Sequence, residues 1–221
     1  MSNYIALIRS KPSSREITAL RAAVMSSDSA MLFLHGEGVA AIPLVAWAPQ
    51  AGAKSHVCQT SWNRRRPDES PRLPVRTDTL ATFYQAVQHD RRVDSIGLGG
   101  SFHGAPEAGV MQGFTTSRLL LDIAFAPADA MQHRETLEMA LGAAALEINA
   151  SVLFRGQGVA HLAGDAGRGW RQITDPGLLQ VYADDAERPK SADRAETFGA
   201  ARLKAAQVTD LRADAGTILV L

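Results

Sequence analysis

The segment Leu32-Phe33-Leu34-His35-Gly36-Glu37-Gly38-Val39-Ala40 reappears, with one residue deleted, as Leu153-Phe154-Arg155-Gly156-Gln157-Gly158-Val159-Ala160. The copies lie roughly 120 residues apart, a spacing that fits domains rather than solenoid turns. In the first copy an apolar run at residues 4–8 precedes the repeat, followed by Ser13 and Glu16 at capping-box spacing and Ile17, Leu20 and Val24 at helical spacing. In the second copy an apolar run at residues 118–125 precedes it, followed by Leu137, Leu141, Ala144 and Ile148. After each repeat come a small-residue segment and another short strand, at residues 56–58 and 178–182. Residues 93–98 and 217–221 supply closing strands, with Leu80, Phe83, Tyr84 and Val87 marking a helix before the first of them. Residues 63–76 hold Pro67, Pro71 and Pro74 and read as a loop.

Strands alternating with helices predict parallel or mostly parallel sheets with helices on both faces. The predicted fold class is therefore α/β, in two tandem lobes. The first spans residues 1–102, a Gly-, Ala- and Pro-rich linker spans 103–117, and the second lobe spans 118–221. Hydrophobic residues make up 46% of the 221, enough to give each lobe its own core. The formal net charge is zero, so no global field draws the chain to nucleic acid or an anionic membrane. The N-terminal apolar run is too short for a signal peptide, and no run approaches the roughly 18 apolar residues of a spanning helix. A single cysteine excludes an internal disulfide. Together these features predict a cytoplasmic protein.

Parallel sheets of this kind bind and react at the carboxyl ends of their strands. Cys58, the one cysteine, lies at such an end. A free cysteine is often a packing residue, but one beside positive charge is favoured as the reactive thiolate. His56 lies two residues earlier and faces the same side of a strand. It is either a satisfied sheet histidine or a neighbour that favours the thiolate. Trp62 either flanks the thiol or covers core. Arg64 and Arg65 either belong to a solvated loop or attract an acidic partner. Aligning residues 178–183 with the third strand of the first lobe places Tyr182 opposite Cys58, so the thiol is expected in one lobe only.

The chain resembles the DsrE/DsrF-like sulfur-relay family. The first half is similar to the TusD or DsrE type in Leu32-Phe33-Leu34-His35-Gly36-Glu37-Gly38-Val39 and in Val57-Cys58 followed by Arg64-Arg65. The second half is similar to the TusC or DsrF type in Glu135-Thr136-Leu137-Glu138-Met139-Ala140-Leu141, in the Gly156-Gln157-Gly158-Val159 turn and in Val181-Tyr182-Ala183-Asp184-Asp185. Two features depart from the family: two polypeptides are fused here, and Arg66-Pro67 stands where glycine usually follows the arginine pair. The resemblance implies a sulfurtransferase-type persulfide carrier, with Cys58 accepting sulfane sulfur and passing it on. It implies donor and acceptor carrier proteins of the TusE/DsrC type, possible pairing with a TusB/DsrH-like subunit, and an oligomer. The competing reading is a non-catalytic assembly subunit with an inert Cys58.

Other chemistries find less support. Gly36-x-Gly38-x-x-Ala41 imitates a dinucleotide turn, but no acidic residue stands about 20 positions on to hold a ribose. Arg64, Arg65, Arg66, Arg72 and Arg76 are interrupted by Asp68 and Glu69 with little aromatic interleaving, which argues against direct RNA binding. The six histidines show no metal spacing, and Ser101-Phe102-His103 lies in a glycine-rich stretch at the lobe–linker boundary. No metal and no cofactor is expected.

Overall fold

A computed structural model describes residues 3–69, 75–89, 93–97, 102–103, 119–187 and 198–221. The chain divides into two compact units, Met1–Ala105 and Pro106–Leu221.

In the first unit β1 (Asn3–Ile8) leads to α1 (Ser14–Met25), β2 (Ser29–Leu34), a 3₁₀ stretch over Gly36–Val45 and Ala48–Ala51, and β3 (Lys54–Cys58). Then follow α2 (Gln59–Arg65), β4 (Arg76–Asp78), α3 (Leu80–His89), β5 (Val93–Ile96) and β6 (Phe102–His103). The sheet order is β4-β3-β2-β1-β5-β6, parallel except for β6. The second unit runs β7 (Leu119–Ile123), α4 (Ala130–Ala145), β8 (Ala150–Phe154), a 3₁₀ stretch over Gly156–Leu162, α5 (Gly164–Thr174) and β9 (Gln180–Asp184). After β9 come β10 (Ala201–Leu203), α6 (Ala205–Ala213) and β11 (Thr217–Val220). Its sheet is parallel throughout, in the order β10-β9-β8-β7-β11.

Helix α1 starts where the sequence says. Ser13 Oγ accepts from the Glu16 N–H, and Glu16 Oε2 accepts from the Ser13 N–H at 2.8 Å, closing the capping box. Glu16 Oε1 also accepts from the Gly97 N–H at 3.0 Å, which ties the helix start to the end of β5. Its apolar face buries Leu20, Ala23 and Val24 against one side of the sheet, with Tyr4, Ala6, Ile8, Leu32, Leu34 and Val57. The opposite side is covered by α3, where Phe83 meets Phe33 at 5.1 Å.

The repeated glycines have a mechanical cause. Gly36 and Gly156 hold φ of 59° and 53°, in the left-handed region that L side chains avoid. A Cβ on Gly38 would lie 1.9 Å from the Ile8 carbonyl oxygen, and one on Gly158 would lie 1.9 Å from that of Ile123. The turn after the second strand of each unit thus presses against the end of the first. The glycine pattern needs no nucleotide to explain it.

Several expectations change. The stretch at 63–76 is not all loop: α2 occupies Gln59–Arg65 and β4 begins at Arg76. A seven-residue helix shows too little periodicity to stand out, and β4 is only three residues long. Helix α5 goes unpredicted because Gly164, Gly167 and Gly169 dilute its pattern, although Trp170 and Ile173 anchor it in the core. Composition alone reads residues 192–208 as a helix, whereas the helix begins at Ala205, after strand β10. Residues 188–197 lie outside the described residues, as do Arg72, Gly99, Gly100 and residues 104–117 of the expected linker. Phe102, expected as the last residue of the first lobe, and His103, expected to start the linker, pair antiparallel with β5.

Candidate functional site

The strand ends align the candidate residues. Ile8 pairs with Leu34 and Leu34 with Val57, so Arg9, His35 and Cys58 follow one another across the sheet. Cys58 pairs directly with Asp78 on β4. Arg9-His35-Cys58-Asp78 is therefore one row across β1, β2, β3 and β4, at their carboxyl ends. Alternation along the strands puts this row on the α3 side, two residues beyond Leu7, Phe33, His56 and Arg76.

Each member of the row is held differently. Arg9 is buried and donates its N–H to the Ile96 carbonyl at 3.1 Å. His35 is 0% exposed, and neither ring nitrogen has a hydrogen-bond partner among the described residues. Burial, with the charges of Arg9, Arg64 and Arg65, pushes its pKa down to about 3, so the ring is neutral at pH 7. Cys58 is 2% exposed and its thiol is in no disulfide. Asp78 loses solvation by partial burial, but hydrogen bonds from the Thr82 hydroxyl, the Thr79 N–H and His56 hold its carboxyl below the usual range.

His56 lies close to the row and is committed to Asp78. Its Nδ1 is 3.0 Å from Asp78 Oδ2. This is the satisfied sheet histidine of the first reading, with its carboxylate partner in the row that holds the thiol. Helix α2 leaves directly from Cys58 and is pinned by Ser61, whose Oγ accepts from the Gly36 N–H at 3.0 Å. Trp62 packs into the apolar cluster with Val57 and Val75, and its Nε1 donates to the Glu69 carbonyl at 2.7 Å. Its role is core cover. Arg64 and Arg65 are half-buried on α2, within electrostatic reach of His35.

Sequence reasoning missed Arg9, His35 and Asp78. The signal was available: each occupies the position after, or at, the end of a strand, the same criterion that singled out Cys58.

The second unit carries the corresponding row with different contents. The His35 N–H donates to the Ile8 carbonyl at 2.9 Å, and the Arg155 N–H donates to the Ile123 carbonyl at 3.0 Å, so His35 and Arg155 are equivalent. Because Leu34 pairs with Val57 and Phe154 with Ala183, the equivalent of Cys58 is Asp184. Tyr182 is the counterpart of His56, and its hydroxyl donates to Gln180 Oε1 at 2.7 Å. The expected match of Tyr182 to Cys58 is corrected by two residues. A slip of two keeps every side chain on its own face, so the alternating pattern gives no warning of it.

Where the first row sets a thiol between a neutral histidine and an aspartate, the second pairs its charges. Buried Asp122 accepts from Arg155 Nε at 2.7 Å and also pairs with Arg212, while Asp184 acts on Arg155 through its charge. Asp122→Asn is expected to destabilise the second unit by roughly 2 kcal/mol, less than breaking a fully buried ion pair because both arginines reach solvent. Urea denaturation of the full chain measures this, and an unchanged midpoint would refute it.

Among the described residues, no group of three or more His, Cys, Asp or Glu is placed to hold a metal ion. None of the described helices is long and apolar enough to cross a membrane. No protein-family model matches this chain, and no curated protein matches it significantly.

Proposed function

We propose that this protein is a persulfide carrier of the DsrE/DsrF-like type, acting in the cytoplasm, with Cys58 as the acceptor. The observation that carries the reading is the position of the single thiol. It stands at the carboxyl end of a parallel strand, in one row with Arg9, His35 and Asp78, in only one of two related units. The Cys58 thiolate attacks the outer sulfur of a donor persulfide. A new S–S bond forms at Cys58 as the donor's own S–S bond breaks, and the donor leaves as a thiolate that takes up a proton. An acceptor thiolate then attacks the outer sulfur on Cys58 and restores the thiol. Neither step consumes an oxidant. The donor and acceptor are carrier proteins of the TusE/DsrC type, and a TusB/DsrH-like subunit completes the oligomer. The chemistry serves tRNA thiolation and sulfur oxidation equally.

The 2% exposure of Cys58 favours the second reading, a non-catalytic assembly subunit in which the thiol is packing. Intact-mass measurement after incubation with a desulfurase and its sulfur donor separates the two. The carrier gains one sulfur atom, and Cys58→Ala does not. No gain, together with slow alkylation typical of a buried thiol, leaves only the assembly subunit.

A further inference from the structure

An imidazole with no partner at the heart of a buried row is an unusual expense for a fold. His35 is wholly buried, and neither ring nitrogen is satisfied among the described residues. A neutral imidazole always carries one N–H donor and one bare nitrogen, and a buried donor left unmet destabilises the fold. Native proteins keep such a group where something else satisfies it.

The surroundings say what that partner is. The charges acting on His35 are those of Arg9, Arg64 and Arg65, all cationic. Its main chain is fully used, the N–H on the Ile8 carbonyl at 2.9 Å and the carbonyl on the Gly38 N–H at 3.0 Å. The neighbouring carboxylate of the row, Asp78, is already engaged by His56, Thr79 and Thr82. What the row offers next to Cys58 is a buried, unmet imidazole N–H whose electrostatic neighbours are the cations Arg9, Arg64 and Arg65. That set suits a compact anion and repels a cation.

We propose that His35, Arg9, Arg64 and Arg65 form a compact-anion site beside Cys58, whose ligand in the working protein is anionic sulfur. This rests on the reading of Cys58 as a sulfur acceptor for the identity of the ligand, but not for the existence of the site. The anionic sulfur has two sources, the terminal sulfur of a Cys58 perthiolate or a free sulfur oxyanion. His35 is a binding residue in this scheme. It donates a hydrogen bond and moves no proton.

The test uses the full chain with Cys58→Ser, so that thiol chemistry does not enter. Sodium iodide, a soft monoanion like a perthiolate sulfur, and sodium sulfate, an oxyanion, are titrated separately at constant ionic strength. The ring ¹⁵N signals of His35 are followed by NMR. A saturable shift is expected, weakened tenfold or more in an added Arg65→Gln, a half-buried residue whose replacement keeps much of the side chain and removes the charge. Stronger binding of iodide assigns the site to the perthiolate, and stronger binding of sulfate assigns it to a free oxyanion. No saturable shift with either salt, or a shift that Arg65→Gln leaves unchanged, overturns the proposal. Anion binding without sulfur loading of the native chain would leave the site standing and remove the carrier function; loading without anion binding would do the reverse.

Discussion

Gly38→Ala is expected to cost the first unit about 3 kcal/mol or more, and Gly158→Ala to do the same to the second. The ordinary penalty for a methyl group in a tight core is smaller, because side chains can turn aside. Here the obstacle is main chain. The new Cβ would stand 1.9 Å from the carbonyl oxygen of Ile8 or Ile123, and 2.6 Å from its carbon. Each of those carbonyls also accepts the N–H of the residue at the end of the second strand, His35 or Arg155. Moving the strand end away breaks that bond, and moving the turn away breaks the one between the Gly38 N–H and the His35 carbonyl at 3.0 Å, or its Gly158 counterpart at 2.9 Å. Hydrogen exchange of β1 and β7, followed by mass spectrometry of the full chain, reads each unit separately. Loss of protection should be confined to the unit that carries the substitution. Protection unchanged in both variants would show that the turn relaxes cheaply and that the clash argument is wrong.

His35 makes the first unit acid-sensitive in a window well above the carboxylates. Its pKa is depressed to about 3 in the folded chain, against about 6.5 for an unperturbed histidine. A depressed histidine favours folding while it stays neutral. As pH falls below about 6.5 the unfolded chain takes up a proton that the folded chain refuses, and stability drops by about 1.4 kcal/mol per pH unit until the folded value is reached. Going from pH 7 to pH 5 therefore removes about 2 kcal/mol through this residue alone. Asp78 loses its own contribution only at lower pH, below the ordinary range of a carboxylate, because its folded pKa is lowered. The second unit has a weaker counterpart in His133, which burial also depresses and whose Nδ1 meets His161 Nδ1 at 2.9 Å. Denaturation midpoints between pH 5 and 7 should slope steeply in the native chain and flatten in His35→Phe. The same slope in both chains would mean that His35 is not the titrating group.

The α/β architecture and the duplication could be read directly, because glycines forced by main-chain contact survive in both copies while the surrounding residues diverge. Helix α1 was equally plain, since its capping box and apolar spacing agree. What stayed hidden was short or diluted. Strands β4 and β10 have three residues each, too few for alternation to register. Helix α5 hides its Trp170 and Ile173 anchors among glycines. The candidate site was half visible. Cys58 announced itself as a lone thiol at a strand end, but its row partners come from three other strands, and only their register brings Arg9, His35 and Asp78 into line with it. Trp62 shows the converse: it is near Cys58 in sequence, yet its side chain belongs to the core cluster around Val57.

The placement of the two rows at the strand ends bears on how a duplicated gene can diverge. Arg9, His35, Arg155 and Asp184 stand at or just past the last rungs of their ladders, where side-chain identity is uncoupled from the pairing that builds each sheet. One copy could exchange a thiol position for an aspartate, and a histidine for an arginine, while Gly38 and Gly158 went on enforcing the same turn. The residues that set the chemistry of each row and the residues that hold each turn are therefore different ones, and the two copies differ in the former while keeping the latter.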